Sequence, residues 1–189
     1  LALNILLRGI QAHQAGLADE FPQGFVDACG RLLAQGAQDP AFTAEALALP
    51  SEAYIGEQMD VVDPDAIHSV RLALRRHLAQ SLKGELLATY QAFAAPGPYS
   101  PDAASAGQRA LKNLSLSYLM ELDDDAVRAL CLRQFDHADN MTDAMAALVA
   151  LANSDWSERT AALERFYAKW QGEPLVVDEM AVLAVDGHE

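Results

Sequence analysis

Apolar residues recur along most of this chain at intervals of three and four, the spacing that lines one face of an α-helix. Leu3, Leu6, Leu7 and Ile10 set the pattern, which predicts a first helix from near Leu1 to about Gln14. Gly16 and the Phe21-Pro22 region end it and start the next, whose apolar face is read as Phe25, Cys29, Leu32 and Leu33, with Gly36 as its stop. Asp39-Pro40 and Asp63-Pro64 each join an N-capping acid to a proline at the first helical position, where a missing N–H costs nothing. Between them Ser51 caps a short helix through Tyr54, Ile55 and Met59. Ile67, Val70, Leu74, Leu78, Leu82, Leu86 and Tyr90 then keep one stripe, as the longest helix or as two broken near Ser81 to Gly84.

Ala95-Pro96-Gly97-Pro98 is the one clear break, and it is short enough for a loop. Ser100-Pro101 opens a second half in the style of the Asp-Pro signals, with Ala110, Leu111, Leu114, Tyr118 and Leu122 on one face. Asp123, Asp124 and Asp125 open a further helix with Ala126, Val127, Leu130 and Cys131 inside. Three acids in a row suit the positive end of a helix dipole better than a calcium loop, which needs spaced oxygen ligands and a glycine. Asn140 then reads as an N-cap, with Asp143 three residues on as a short capping-box partner. Met145, Leu148 and Val149 form the apolar face behind it, extended by Ala152. Ser154 or Ser157 caps a helix through Leu163, Phe166 and Trp170, closed by Gly172, and a last apolar segment runs from Leu175 to Val185. The fold class read from this order is all-α, with antiparallel helix pairs stacked as an α-solenoid or superhelical bundle. The organisation expected is a single helical domain over 1–189, with the 95–100 loop separating a helical half at 1–95 from another at 101–189. No strict repeat shows in the letters.

Composition agrees. Ala and Leu dominate, β-branched residues are few, and 189 residues are enough for a core without staples. The net charge of −14 is spread over both halves: 6 basic and 11 acidic residues up to Ala95, then 7 and 16. That disfavours phosphate backbones and anionic membranes as partners. The basic cluster Arg71, Arg75, Arg76 and Lys83 reads as a solvated face with packed stems rather than an anion site. Cys29 and Cys131 sit among apolar residues as free thiols, which fits a reducing, cytoplasmic setting. No apolar run approaches the roughly 18 residues of a membrane span, and no signal segment is present.

Chemistry is hard to find. No two of His13, His68, His77, His137 and His188 stand three or four apart, and there is no H-E-x-x-H, Cys-x-x-Cys, phosphate loop or Gly-x-Ser-x-Gly elbow. His137, between Asp136 and Asp139, could be tuned as an acid or base but reads better as a residue that hydrogen-bonds its corner together. The aromatics do not interleave with basic residues, which argues against a nucleic-acid stacking platform. No position is assigned as catalytic, cofactor-binding or metal-ligating.

Several segments, taken in order, resemble the C-terminal helical domain of bacterial aminopeptidase N. They are Asp39-Pro40, Leu47-Ala48-Leu49-Pro50-Ser51-Glu52 and Val62-Asp63-Pro64-Asp65-Ala66-Ile67, then Arg109-Ala110-Leu111-Lys112-Asn113-Leu114. Gln134-Phe135 with Asn140-Met141-Thr142-Asp143-Ala144 follows, and Tyr167-Ala168-Lys169-Trp170 ahead of Leu175-Val176-Val177-Asp178. The close departs: where the family carries an Asp-Lys-Trp-Phe-like stretch, this chain has Asp178-Glu179-Met180-Ala181. The resemblance implies a parent among the M1 zinc metallopeptidases, which remove residues from peptide N-termini. Their zinc ligands, general base and Gly-x-Met-Glu-Asn motif lie in a catalytic domain, with a β-sandwich domain between it and the helical one. None of those residues is found here, so the expectation is an inactive first part of the helical domain, cut from a longer chain, with zinc held elsewhere in the parent. Its partners would be the parent's catalytic and β-sandwich domains and the peptide substrate. An isolated fragment would expose apolar surface through which it can dimerise. The alternative is a free-standing helical-repeat scaffold that binds a peptide or protein.

Overall fold

The computed structural model describes residues 1–94, 99–178 and 180. The break at 95–98, Glu179 and the stretch 181–189, which carries His188 and most of the last apolar segment, lie outside them. Among the described residues the chain is all-helical, in ten α-helices, with a further helical stretch at 174–178. Two compact units divide between Leu122 and Asp123.

The first unit holds α1 (Ala2–Gln14), α2 (Gln23–Gln35), α3 (Pro40–Leu47), α4 (Glu52–Gly56), α5 (Pro64–Ser81), α6 (Lys83–Phe93) and α7 (Ala103–Leu119). Its packing centres on α7, which lies against α6 and α3 and touches α5; α1 and α4 both pack on α5. Ile67, Val70, Leu74 and Leu78 of α5 are buried, as the stripe requires, and the stripe breaks into two helices at Leu82. The capping signals resolve as hydrogen bonds. Asp39 Oδ1 accepts from the Phe42 amide at 3.0 Å, Ser51 Oγ from Tyr54 at 3.2 Å and Asp63 Oδ1 from Ala66 at 3.1 Å.

Three expectations shift. In α2 the buried stripe is Val26, Cys29 and Leu33, while Phe25 and Leu32 flank it half-exposed. Gly36 does cap the end of α2 where the stop was expected, but in the right-handed conformation; a Cβ there would meet Leu111 Cδ2 at 2.9 Å, and close approach is what requires glycine. The cap of α7 is Asp102, not Ser100. Its carboxylate takes the Ser105 amide at 3.0 Å and the hydroxyls of Ser100 and Ser105, three donors where a serine oxygen would serve fewer. Those bonds, the Ser100 hydroxyl first, hold the Asp102 carboxyl well below the usual carboxylate range.

The second unit contains α8 (Asp125–His137), α9 (Met141–Ala152) and α10 (Glu158–Trp170), each packed on the next. Short turns join them, so successive helices form antiparallel pairs. Asp124 of the acidic run caps α8, accepting from the amides of Ala126 at 2.8 Å and Val127 at 3.2 Å. The buried face of α8 is Val127, Cys131 and Gln134; Ala126, expected inside, is exposed because it belongs to the capping turn. In α9 the buried apolar set is Ala147, Leu148, Leu151 and Ala152, with Met145 and Val149 at its edges and Asp143 buried in the first turn. α10 is preceded by Ser157, which makes no side-chain cap bond, and it closes at Gln171 rather than Gly172.

Candidate functional site

Charged side chains concentrate in the first unit along a seam between α5, α7 and the connection from α3 to α4. Tyr118 is buried, and its hydroxyl donates to the Leu47 carbonyl at 2.7 Å. Burial pushes its phenol up to about 12, against the opposing pull of Arg75. The Arg75 guanidinium lies 5.0 Å from the Tyr118 ring centre and donates to Glu121 Oε1 at 2.5 Å and to the Ser117 carbonyl at 2.8 Å. Arg71, one turn earlier, donates to the Pro50 carbonyl at 2.9 Å; burial, then the charge of Arg75, lowers its pKa from the usual arginine value. The solvated basic face expected for this cluster is therefore corrected. Arg76 and Lys83 are exposed, but Arg71 and Arg75 turn inward, because the Pro50 and Ser117 carbonyls and Glu121 supply acceptors that water would otherwise provide. Every donor named here points at a protein acceptor, so the seam organises the unit.

Beside it, between α4 and the start of α5, lies an open groove of about 450 Å³. Gly56, Val62, Pro64 and Ile67 give it an apolar lining, with Glu52 and Glu57 at its edge. Glu52 Oε1 lies 3.1 Å from His68 Nδ1, both side chains being exposed. Sequence reasoning did not find this groove; its signal was the unusual pair Val61-Val62 in a turn, which the structure leaves 79% and 54% exposed.

The Asn140 corner holds itself together. Asn140 Oδ1 accepts from the Asp143 amide at 2.9 Å, and its Nδ2 donates to Asp143 Oδ2 at 3.0 Å and to Asp139 Oδ1 at 2.9 Å. Gln134 Nε2 reaches the Asp143 carbonyl at 3.0 Å, tying the end of α8 to the first turn of α9. His137 Nδ1 lies 3.0 Å from the Arg133 carbonyl of its own helix, a contact within α8 rather than the bond across the corner expected of it. The other described histidines do not converge. His13 Nδ1 is 3.8 Å from Asp19, and the His77 ring lies tilted against Phe21, 5.4 Å between centres, with its Nε2 buried and without a hydrogen-bond partner. Cys29 and Cys131 are buried free thiols, and burial raises both, Cys131 to about 12.

The aromatics, which do not alternate with basic residues in the letters, do meet them in space. Besides Arg75 on Tyr118, Arg109 lies over Tyr99, Arg128 over Trp156, Arg165 over Phe135 and Lys169 over Trp170. Four of these five cations also bond or pair with protein oxygens.

Zinc in a protein takes three or four nitrogen, sulfur or oxygen ligands about one point. Among the described residues no three His, Cys, Asp or Glu side chains come together that could hold a metal ion. The described residues do not fit a zinc centre. No described helix is long and apolar enough to cross a membrane.

Comparison with known proteins gives a consistent relationship. Residues 1–186 match the family described as a domain of unknown function (DUF3458_C) with ARM repeats. Aminopeptidase N of Caulobacter vibrioides is 36% identical over 181 residues, which is 95% of this chain and 21% of that protein. Aminopeptidase N of Escherichia coli is 36% identical over 174 residues, 92% of this chain and 20% of that protein. The crystal structure of Legionella pneumophila aminopeptidase A in complex with aspartic acid superposes with a TM-score of 0.81 at 26% identity, covering 95% of this chain and 22% of that one. The chain thus spans about a fifth of the length of the relatives it matches.

Proposed function

This chain belongs to the DUF3458_C family of ARM-repeat domains, and from that premise we propose that it is a non-catalytic helical domain of an M1-type zinc aminopeptidase. In that reading the parent removes N-terminal residues from peptides. The helices wall the chamber over its active site and limit which peptide ends enter. Zinc and the catalytic groups belong to other domains, and the parent works in the cytoplasm. The observation that carries the proposal is the alignment of 95% of this chain with a fifth of an aminopeptidase N. The buried free thiols of Cys29 and Cys131 support a reducing compartment.

The test is a graft. The matching segment of Escherichia coli aminopeptidase N is replaced by this chain, and hydrolysis of a small aminoacyl-arylamide is compared with that of peptides of increasing length. A walling domain leaves arylamide turnover near the native level and preserves discrimination against long peptides, while a deletion of the segment loses that discrimination. Equal length profiles for graft and deletion would refute the role. Separately, the chain alone with added zinc should not turn over an arylamide, and activity there would overturn the non-catalytic assignment.

A further inference from the structure

We propose that the groove between α4 and α5 binds a protein segment that presents an aliphatic side chain beside a basic one. Three observations converge on it. First, the groove has room: about 450 Å³ over Gly56, Val62 and Ile67, enough for more than one side chain. Second, nothing in the backbone demands glycine at 56. The positive-φ glycine among the described residues is Gly16, and a Cβ at Gly56 would rest 3.4 Å from Val62 Cγ1, an ordinary contact. Glycine weakens a helix, yet here it leaves open the space that any longer side chain would fill. Third, the edge is acidic and unevenly compensated. Glu52 faces His68 and feels the charge of Arg71, but Glu57 makes no side-chain hydrogen bond or ion pair among the described residues. A net charge of −14 makes a cation the complementary partner. An aliphatic group over Gly56, against exposed Val62, would set its basic neighbour at Glu57.

The proposal does not depend on the aminopeptidase reading, and the probe keeps the two apart. It is an N-acetylated, C-amidated hexapeptide, Gly-Ser-Leu-Arg-Ser-Gly, which has no free terminal amine. Titration into the 15N-labelled chain is followed by amide shifts. Saturable shifts are expected at 52–57 and 61–67, with a Kd between roughly 0.1 and 5 mM, as befits a small, shallow contact. Glu57→Gln should weaken binding about threefold, the scale of an exposed ion pair. Gly56→Leu should weaken it at least about tenfold by filling the groove, as should replacing the peptide leucine with serine. Ala53→Leu fills the same groove from an exposed position, and it replaces Gly56→Leu if circular dichroism shows that variant unfolded. Glu164→Gln, an equal charge change in the second unit, should leave the Kd unchanged. Shifts spread over the surface that weaken equally in Glu164→Gln would overturn the proposal. So would equal binding of a peptide with glutamate in place of arginine, or the absence of saturable shifts.

Discussion

Glu121→Ala removes the acceptor that faces the Arg75 guanidinium and leaves the cation with the Ser117 carbonyl and the Tyr118 ring. The Arg75 and Glu121 side chains keep only 17% and 18% of their exposure, so water cannot fully replace the lost carboxylate. Breaking a fully buried pair from one side costs about 3–5 kcal/mol. Discounted for the residual exposure, about 2–3 kcal/mol is expected here. The contrast is the Arg165–Asp136 pair, at 61% and 37% exposure, where Asp136→Ala should cost about 0.5 kcal/mol or less. Urea unfolding followed by helical circular dichroism measures both. Both tryptophans, Trp156 and Trp170, lie in the second unit, so fluorescence reports that unit separately. Glu121→Ala should lower the dichroism midpoint at unchanged slope and lower the melting temperature by roughly 4–12 °C. The double variant Arg75→Met with Glu121→Leu should recover most of the loss, because an apolar pair of similar volume leaves no stranded charge. A Glu121→Ala cost no larger than that of Asp136→Ala would refute the claim that the seam is desolvated.

Four further outcomes follow from particular contacts. Asn140→Ala removes the oxygen that accepts the Asp143 amide, and should cost about 1–2 kcal/mol in urea unfolding read by fluorescence; Asn140→Ser should restore part of it. Gly107→Ala should destabilise by about 1 kcal/mol or more despite its better helix propensity, since a Cβ there meets the Ala41 backbone nitrogen at 3.0 Å, whereas Gly84→Ala, with nothing within 4 Å, should stabilise by up to about 1 kcal/mol. Cys131 should react with an aromatic disulfide reagent at pH 8 only as fast as the second unit unfolds, because its thiol stays protonated up to about 12. For the same group the folded pKa is raised, so the folded state holds its proton where the unfolded thiol has released it. Stability is therefore fully present below the unfolded value near 9 and falls as pH rises toward 12, by at most about 1.4 kcal/mol per pH unit, a slope that Cys131→Ala should flatten in unfolding measured between pH 9 and 11.

Helix starts are legible in this chain because their chemistry is local. A capping oxygen and the amide it accepts are two or three residues apart, so Asp39, Ser51, Asp63 and Asn140 can each be read from a few letters. Where two cap candidates compete, the letters fail. Ser100-Pro101 has the right form, but Asp102 wins by gathering both serine hydroxyls, a preference that depends on where the side chains land. The buried face of α2 fails for a related reason: Phe25 and Val26 start two neighbouring stripes, and only the partners of α2, which are α3 and α6, decide between them. The family resemblance, by contrast, draws on order and spacing over the whole chain, which no single contact can disturb, and the match over residues 1–186 bears it out.

Periodicity says which side of a helix is covered; it says nothing of what covers it. Arg71 and Arg75 fall on a face that a helical wheel marks as polar, and a polar face is read as wet by default. Here it is lined by the Pro50 carbonyl, 21 residues from Arg71, and by Glu121, 46 residues from Arg75. The acceptors come from other elements, so the burial of the cations is a property of the assembled unit and has no local signature. Gly56 is the converse case. Glycine in the letters suggests a turn or a stop, and both readings concern backbone angles. Its angles in the structure are ordinary, and what it supplies is an absent side chain above Val62 and Ile67. Space of that kind is set by three segments at once, so a recognition groove can be built from residues whose individual identities announce nothing.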